Sequence, residues 1–237
     1  GSILEVSHQE KDIGVIIDNH LSFDSHIAAI ANKANSKMGL IRRTFTALDK
    51  EMFTPLFKTL VRPILEYAGP VWNPHQVNHI ELLENVQRRA TRLLPGFKDK
   101  TYEQRLKDLK LETLRYRRAR GDMIEAFKIL SGKNDTSLPP VLEVVGSDNR
   151  TRGHKLKIKH QGSTLMTRTN FFAVRIARMW NDLPDSVVDA PSVRAFEGRL
   201  DRFWRNQTFK YEPSATYEPT EVTRSEVIES DDFSTQA

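Results

Sequence analysis

The sequence contains no cysteine among its 237 residues. This absence excludes disulfide bonds, zinc sites built on cysteine and thiol nucleophiles, and it fits a reducing compartment. No apolar run approaches the roughly 20 residues that a membrane-spanning helix needs, and the N-terminus lacks the basic-then-apolar pattern of a secretory signal. We therefore expect an intracellular protein that has no membrane partner.

The sequence also lacks the common signatures of catalysis. It has no glycine-rich phosphate loop and no His-Glu-x-x-His metal pair. Asp12 and Asp18 bracket a short apolar run, where a turn or capping role is the commoner use of aspartate. Asp231 and Asp232 are adjacent, but they lie in a polar C-terminal stretch with no flanking strand. We predict no catalytic residue, no metal ligand, no cofactor and no small-molecule substrate for this chain alone.

Positive charge is present in excess and is unevenly distributed. The net charge is +5. Residues 212–237 contain seven acidic residues and one arginine, which leaves 35 basic and 24 acidic residues in the first 211. A body this basic is typical of proteins that bind polyanions, most often nucleic acid. A soluble protein whose charges merely cover its helices is an equally good interpretation of charge alone.

The hydrophobic pattern predicts a mainly α protein with a short N-terminal β-hairpin and a small β-hairpin near 154–167. Strands are predicted over 3–6 and 13–17 with a turn at 8–11, and again over 155–159 with a return over 165–167. An acidic tail without fixed structure is predicted to follow. The predicted domains are 1–20, 21–132, a linker over 133–150, a small α+β module over 151–205 and the tail over 206–237.

The centre of the predicted bundle is residues 60–97. One apolar helix is expected to end at Arg62-Pro63, because proline lacks an N–H and crowds the preceding turn. A rigid turn follows over 67–74, and a second helix is expected from about His75. Capping residues are predicted at Asp49, at Thr101 with Gln104, and at Ser192.

Three helices carry clusters of basic side chains that suit phosphate contacts. Because arginine and lysine on a helix meet the nucleic-acid backbone most easily, we predict positioning contacts rather than base readout. Tyr116 could stack a base between the arginines of the third cluster, although a solvated face is a slightly better interpretation there. The candidate residues are Lys33, Lys37, Arg42, Arg43, Arg88, Arg89, Arg92, Arg115, Arg117 and Arg118.

An ordered series of segments resembles the region after the catalytic palm of non-LTR retrotransposon reverse transcriptases of the LINE type, jockey-like in particular. The matching segments cover roughly residues 3–204. They are Lys11–Asp18, Leu21–Phe23, His26-Ile27, Lys33-Ala34, Gly39, Leu60–Tyr67, Val71–Pro74, Leu83–Arg92, Thr151–His154, Phe171-Phe172, Arg175, Trp180–Pro184, Pro191–Val193, Phe196 and Leu200-Asp201.

This resemblance implies the end of the palm, the helical thumb over 21–132 and the C-terminal segment of an RNA-directed DNA polymerase. The partners it implies are RNA, RNA/DNA or DNA duplex, and the palm and fingers of the parent protein. Family members hold Mg²⁺ on palm aspartates that this chain does not contain. We therefore expect a nuclear or nucleocytoplasmic nucleic-acid-binding chain that is inactive alone. The alternative is a non-catalytic remnant or a host-adopted interaction module whose basic faces are solvent cover.

Overall fold

The computed structural model describes residues 7–132, 141–145, 153–159 and 166–219. Within them the protein is mainly helical with a short antiparallel hairpin near its N-terminus, so that predicted class is confirmed. No helix in this part of the chain is both long and apolar enough to cross a bilayer. The helices are α1 (Asp24–Thr44), α2 (Lys50–Leu56), α3 (Arg62–Glu66), α4 (Gly69–Trp72), α5 (Val77–Arg92), α6 (Tyr102–Asp108), α7 (Leu114–Leu130), α8 (Met166–Thr169), α9 (Phe172–Asn181), α10 (Asp185–Val188) and α11 (Val193–Phe203).

The chain divides into two compact units. Among the described residues, the first consists of residues 7–122, 166–172 and 208–216, and the second of residues 123–132, 141–145, 153–159, 173–207 and 217–219. The domain boundaries proposed from the sequence remain a prediction.

The N-terminal hairpin joins β1 (Gln9–Asp12) to β2 (Val15–Asp18). Its turn is Ile13-Gly14, where φ is +43° and +86°. A two-residue hairpin turn needs such positive φ values, and glycine adopts them without strain. The predicted turn at 8–11 is therefore wrong, because these residues belong mostly to β1. The predicted strand over 3–6 lies outside the described residues.

Asp18 closes this hairpin and fixes the start of α1. Its carboxylate accepts hydrogen bonds from the backbone N–H groups of His20, Ser22 and Phe23 and from the Ser22 hydroxyl. Burial acts to raise the pKa of Asp18, but these hydrogen bonds outweigh it and hold the pKa below its usual value. The turn role predicted for Asp18 is confirmed.

The helix that was expected to end at Arg62-Pro63 continues to Glu66. Between α2 and α3 the backbone widens into a π-helical turn over Phe57–Val61, in which the Arg62 N–H reaches the Phe57 carbonyl. Proline has no N–H to bond the carbonyl four residues before it, and its ring crowds that carbonyl. The wider turn makes room for the ring. The prediction was wrong because it assumed that Pro63 ends the helix. Pro63 instead lies in the first turn of α3.

A tight aromatic turn connects α3 to α5, as predicted, and it contains the single-turn helix α4. Trp72 is buried, and its indole N–H donates to the Tyr67 carbonyl at 2.7 Å. The ring of Trp72 also meets the buried His26 ring edge-on, with centroids 5.3 Å apart. Tyr67 is 53% exposed and donates through its hydroxyl to the Ile13 carbonyl at 2.9 Å.

The predicted helix caps are confirmed. Asp49 accepts the Met52 N–H at 2.8 Å, and Ser192 accepts the Ala195 N–H at 3.1 Å. Thr101 and Gln104 form a complete capping box. Each cap satisfies backbone N–H groups that have no partner inside the helix.

The core of the first unit is made by apolar side chains from β2, α1 to α7 and the loops between them. Its largest fully buried members are Phe53, Phe57, Leu65, Trp72, Leu83 and Leu94, with Ile27 from α1. A fully buried side chain of this size contributes about 1.5–3 kcal/mol relative to an exposed one. Packing of these faces therefore holds α1 and α5 together and orients their outer surfaces.

In the second unit, side chains of α9 hold an irregular segment in place. Trp180 donates to the Leu156 carbonyl at 2.7 Å, and Asn181 bonds both the N–H and the carbonyl of Ile158 at 2.8 Å. Ile158 itself forms only an isolated bridge with Val144. The small hairpin predicted near 154–167 is thus corrected where it is described: Met166–Thr169 is helix α8, not a return strand.

Folded structure extends to Pro219, so the predicted start of the tail at residue 206 is too early. In the first unit, the Thr113 N–H donates to the Lys210 carbonyl at 2.9 Å, and the Thr113 hydroxyl donates to the Phe209 carbonyl at 2.6 Å. In the second unit, Gln207 and Glu218 exchange two hydrogen bonds of 2.7 and 3.2 Å. Residues 220–237 lie outside the described residues.

Candidate nucleic-acid interface

The outer face of α5 carries a stripe of arginines. The sequence places Arg88, Arg89 and Arg92 three, four and seven positions after Asn85, which puts them on one side of a helix. Arg89 and Arg92 are exposed and Arg88 is half-buried. The opposite side is buried and holds Leu83, Val86, Gln87, Ala90 and Thr91. The arginine stripe predicted from the sequence therefore exists, and Gln87 lies on the buried side of the helix.

Neutral amides and carbonyls orient the arginines of this stripe. Arg88 donates through Nη1 to Asn85 Oδ1 at 2.6 Å. Arg89 donates through Nε to the Asn85 carbonyl at 3.2 Å and through Nη2 to Asn35 Oδ1 of α1 at 3.3 Å. These contacts fix the direction of both side chains without adding a negative charge.

Helices α1 and α5 run in the same direction. Near their starts, His79 Nε2 lies 3.4 Å from Asp24 Oδ1, and ten or eleven residues later Arg89 reaches Asn35. Arg42 is seven positions after Asn35, so it lies about two turns further on the same edge of α1. Arg42 and Arg92 therefore lie toward the same end of the helix pair.

We call this surface the basic ridge and define it as Arg42, Arg43, Arg88, Arg89 and Arg92. Within the described part of the chain, none of its guanidinium groups forms an ion pair with a carboxylate. Exposed arginines without such pairs keep their full charge for a ligand.

Lys33 and Lys37 are exposed but lie elsewhere on α1. Each is two positions from Asn35 in the sequence, which is about 200° around a helix. They therefore occupy the flank of α1 that faces away from the Asn35 edge. The structure separates these two predicted residues from the basic ridge.

Further positive charge lies behind the ridge. The Arg88 and Arg105 guanidinium carbons lie 5.1 and 5.5 Å from the centroid of the Tyr102 ring. Arg105 is buried and donates to the backbone carbonyls of Lys100 and Arg88. Burial and the like charges of Arg92 and Arg88 lower the pKa of Arg105. A second cation held close to Arg88 raises the positive potential at this end of α5.

The three predicted residues on α7 are used inside the fold. Arg117 makes a two-pronged contact with the Glu66 carboxylate, at 2.9 and 3.0 Å, and is partly buried. Arg115 is half-buried and donates to the Pro213 carbonyl at 3.4 Å. Arg118 is only 5% exposed, so no phosphate reaches it at the surface. Tyr116 is also buried, against Phe209, and so is not available to stack a base.

Sequence reasoning missed a buried polar network beneath the ridge. Glu84 accepts the Tyr102 hydroxyl at 2.5 Å and the Leu114 N–H at 2.9 Å. Gln87 donates to the Tyr102 hydroxyl at 3.0 Å. Burial raises the pKa of Glu84, while the Tyr102 hydrogen bond and the charge of Arg118 oppose that rise. The available signal was the presence of Glu84 and Gln87 among the apolar positions of an otherwise regular helix.

Arg118 completes this interior. Burial lowers its pKa to about 10, although the charges of Glu84 and Asp122 favour the protonated form. Asp122 is itself buried and accepts a hydrogen bond from Asn73 at 3.0 Å. The network surrounds the buried charge of Arg118, so we interpret it as a structural feature. Among the described residues, no three His, Asp or Glu side chains gather as a metal site.

Comparisons with known proteins give a partial similarity. The chain is 26% identical over 125 residues to an uncharacterized protein of Caenorhabditis elegans, covering 52% of this chain and 63% of that protein. It is 28% identical over 101 residues to the RNA-directed DNA polymerase from mobile element jockey of Drosophila funebris, covering 40% of this chain and 11% of the polymerase. The chain thus spans under two thirds of the first relative and about a tenth of the second. No family model and no solved structure matches the chain.

Proposed function

We propose that this chain binds nucleic acid through the basic ridge, gripping the phosphate backbone of RNA, an RNA/DNA hybrid or duplex DNA. The observation that carries the proposal is that Arg89 and Arg92 are exposed, neutral groups orient Arg88 and Arg89, and no arginine of the ridge forms an ion pair within the described residues. Side chains of this kind contact backbones rather than base edges. The partial similarity to a retrotransposon polymerase supports the same class of ligand.

We further propose that the chain corresponds to the C-terminal, thumb-like part of such a polymerase. In this proposal its partners are the palm and fingers of the parent protein, which would supply the catalytic aspartates and Mg²⁺, and its location is nuclear or nucleocytoplasmic. The isolated chain should then give no magnesium-dependent primer extension. Clear extension by the isolated chain would contradict this part of the proposal.

The test is a binding titration of the whole chain with a structured RNA, an RNA/DNA hybrid and a DNA duplex over a salt series. The informative variant is Arg89→Ala with Arg92→Ala, since both side chains are exposed. Arg88 is left in place because it packs on Tyr102. Each lost phosphate contact lowers the slope of log affinity against log salt by about 0.9. We expect the slope to fall by about 2 and the affinity at 0.1 M salt to fall roughly fiftyfold.

The matched control is Lys33→Ala with Lys37→Ala. It removes the same two charges from exposed positions on the opposite flank of α1. We expect it to weaken binding much less than the arginine pair. Equal losses for the two pairs would show that binding follows net charge alone, and flat affinity across the salt series would contradict phosphate binding altogether.

A second candidate function is a structural or protein-interaction module. Large apolar side chains of the first unit are exposed, with Ile13 at 80%, Val77 at 70% and Val71 at 56%. Exposed apolar groups of this size can mark a protein contact when they form a patch. If the salt series shows no specific binding, changing these residues to serine and measuring self-association of the chain becomes the deciding experiment.

A further inference from the structure

The basic ridge uses asparagines where the interior of the same protein uses carboxylates. Arg89 meets Asn35 Oδ1 at 3.3 Å, and Arg88 meets Asn85 Oδ1 at 2.6 Å. Arg117, by contrast, is held by both oxygens of Glu66. An asparagine oxygen accepts the same hydrogen bond as an aspartate oxygen but carries no net charge.

The geometry around Arg89 leaves it both fixed and available. Of the five guanidinium N–H groups, Nε is bonded to the Asn85 carbonyl and one Nη2 hydrogen to Asn35. The side chain is exposed, so its remaining N–H groups face solvent. Because the Asn35 contact comes from α1, it also sets the position of Arg89 relative to the neighbouring helix.

We infer that Asn35 is a positioning residue of the basic ridge. It holds Arg89 in the direction needed to contact a phosphate and does so without an ion pair. Asn85 orients Arg88 through an equally neutral contact. Fixing the side chain in advance lowers the entropy cost of binding. This inference rests on the proposed function and adds which residues set its phosphate contacts.

If Asn35 positions Arg89, two substitutions of Asn35 should have different effects that a purely structural role would not produce. In Asn35→Asp an ion pair immobilises Arg89 as well as before or better, but it neutralises the charge. In Asn35→Ala the charge stays and the arginine becomes mobile. We therefore expect affinity to fall in the order unchanged chain, Asn35→Ala, Asn35→Asp, while the mobility of Arg89 is highest in Asn35→Ala and lowest in Asn35→Asp.

The experiment measures both quantities on the full-length chain. Affinity for an RNA/DNA hybrid is measured at 0.1 M salt, where loss of one phosphate contact is worth roughly tenfold. Arg89 mobility is measured by ¹⁵N relaxation of its Nε without any nucleic acid. We expect about a tenfold loss of affinity for Asn35→Asp and a smaller loss, with an unchanged salt slope, for Asn35→Ala.

The matched control is Ser36→Asp. It adds the same charge to an exposed position on α1, one residue along and about 100° around the helix from Asn35. Equal losses of affinity in Asn35→Asp and Ser36→Asp would overturn the inference, as would unchanged Arg89 relaxation in Asn35→Ala. If the unchanged chain binds no nucleic acid, the proposed function fails, and the inference that Asn35 positions Arg89 then stands or falls on the relaxation alone.

Discussion

Helices α5 and α7 both carry clustered arginines, but they use them in opposite ways. On α5, Arg89 and Arg92 lie on the surface, and the contact that orients Arg89 across to α1 comes from a neutral amide. On α7, Arg117 is held by Glu66, and Arg118 is buried near Glu84 and Asp122. The comparison teaches that the partner of an arginine, not its density in the sequence, separates a binding surface from a structural one.

The cause of the difference is how much of each helix is covered. Helix α5 presents one open side, where its arginines gather. On the first turns of α7, Leu114, Arg118 and Asp122 follow one another at four-residue spacing along one side, Tyr116 lies about 200° around the helix from Leu114, and all four are buried. A buried charge is stable only when it is paired or solvated by polar groups. Arg117 is accordingly paired with Glu66 of α3, and Arg118 lies near the charges of Glu84 and Asp122. In the described part of the chain, no carboxylate forms an ion pair with an arginine of the basic ridge.

The largest expected effect comes from removing the counter-charge of α7. Glu84→Ala takes one of the three nearby negative charges away from the buried Arg118, leaving Asp122 and Glu66. It also removes the acceptor of the Tyr102 hydroxyl and of the Leu114 N–H. Each buried group left without its hydrogen bond costs about 1–3 kcal/mol, and Arg118 loses a nearby counter-charge as well. We expect urea denaturation to show a loss of unfolding free energy of this order.

Two further variants sharpen that measurement. Glu81→Ala removes an exposed acid from the same helix and should change stability by less than about 0.5 kcal/mol. Glu84→Gln keeps an acceptor but loses the charge, so an intermediate loss is expected. If Glu84→Ala were no more harmful than Glu81→Ala, the interior of α7 would not depend on its carboxylates.

A smaller effect is expected from the partly buried pair that Arg117 of α7 forms with Glu66 of α3. Arg117→Ala removes two charge-assisted hydrogen bonds to Glu66, whose side chain is 25% exposed. Solvent screening reduces the value of such a pair, so we expect a loss of about 1–2 kcal/mol. Arg117→Lys keeps the charge but not the two-pronged geometry and should recover only part of it. Full recovery by lysine would show that charge alone matters at this position.

The core beneath α1 handles a titratable group in a third way, by keeping it neutral. His26 is buried, accepts the Ile16 N–H on Nδ1 at 3.3 Å, and has its pKa lowered by burial. Because the unfolded chain binds the proton more tightly, stability is full above pH 6.5 and is lost as the pH falls from 6.5 toward the folded pKa. The slope is at most about 1.4 kcal/mol per pH unit.

Denaturation at a series of pH values between 5 and 8 checks this expectation. His26→Gln should remove this part of the pH dependence, although it also lowers stability at every pH. His75→Gln changes an exposed histidine and should leave the slope as it was. An unchanged slope in His26→Gln would show that this ring is not the titrating group.

The sequence predicted regular elements well because local chemistry determines them. The caps at Asp49, Thr101 and Ser192 follow from spacing alone. The wider turn before Pro63 did not, because a backbone that absorbs proline depends on the packing around it. Only part of the surface could be predicted. The exposure of the α5 arginines follows from the apolar residues that recur on the opposite side of that helix. The burial of Arg118 near Glu84, by contrast, brings together positions that lie 34 residues apart in the sequence.

The smallest expected effect on stability, and the sharpest contrast with α7, belongs to the basic ridge. Arg89→Ala with Arg92→Ala removes exposed side chains, so unfolding free energy should change by less than about 0.5 kcal/mol per residue. The same double variant is the one expected to lose nucleic-acid affinity. Denaturation and binding measured on one preparation therefore distinguish the roles of the two helices. The α7 variants should lose stability, whereas the ridge variant should lose affinity and keep its stability. A ridge variant that lost stability as Arg117→Ala does would place both clusters in the same structural role.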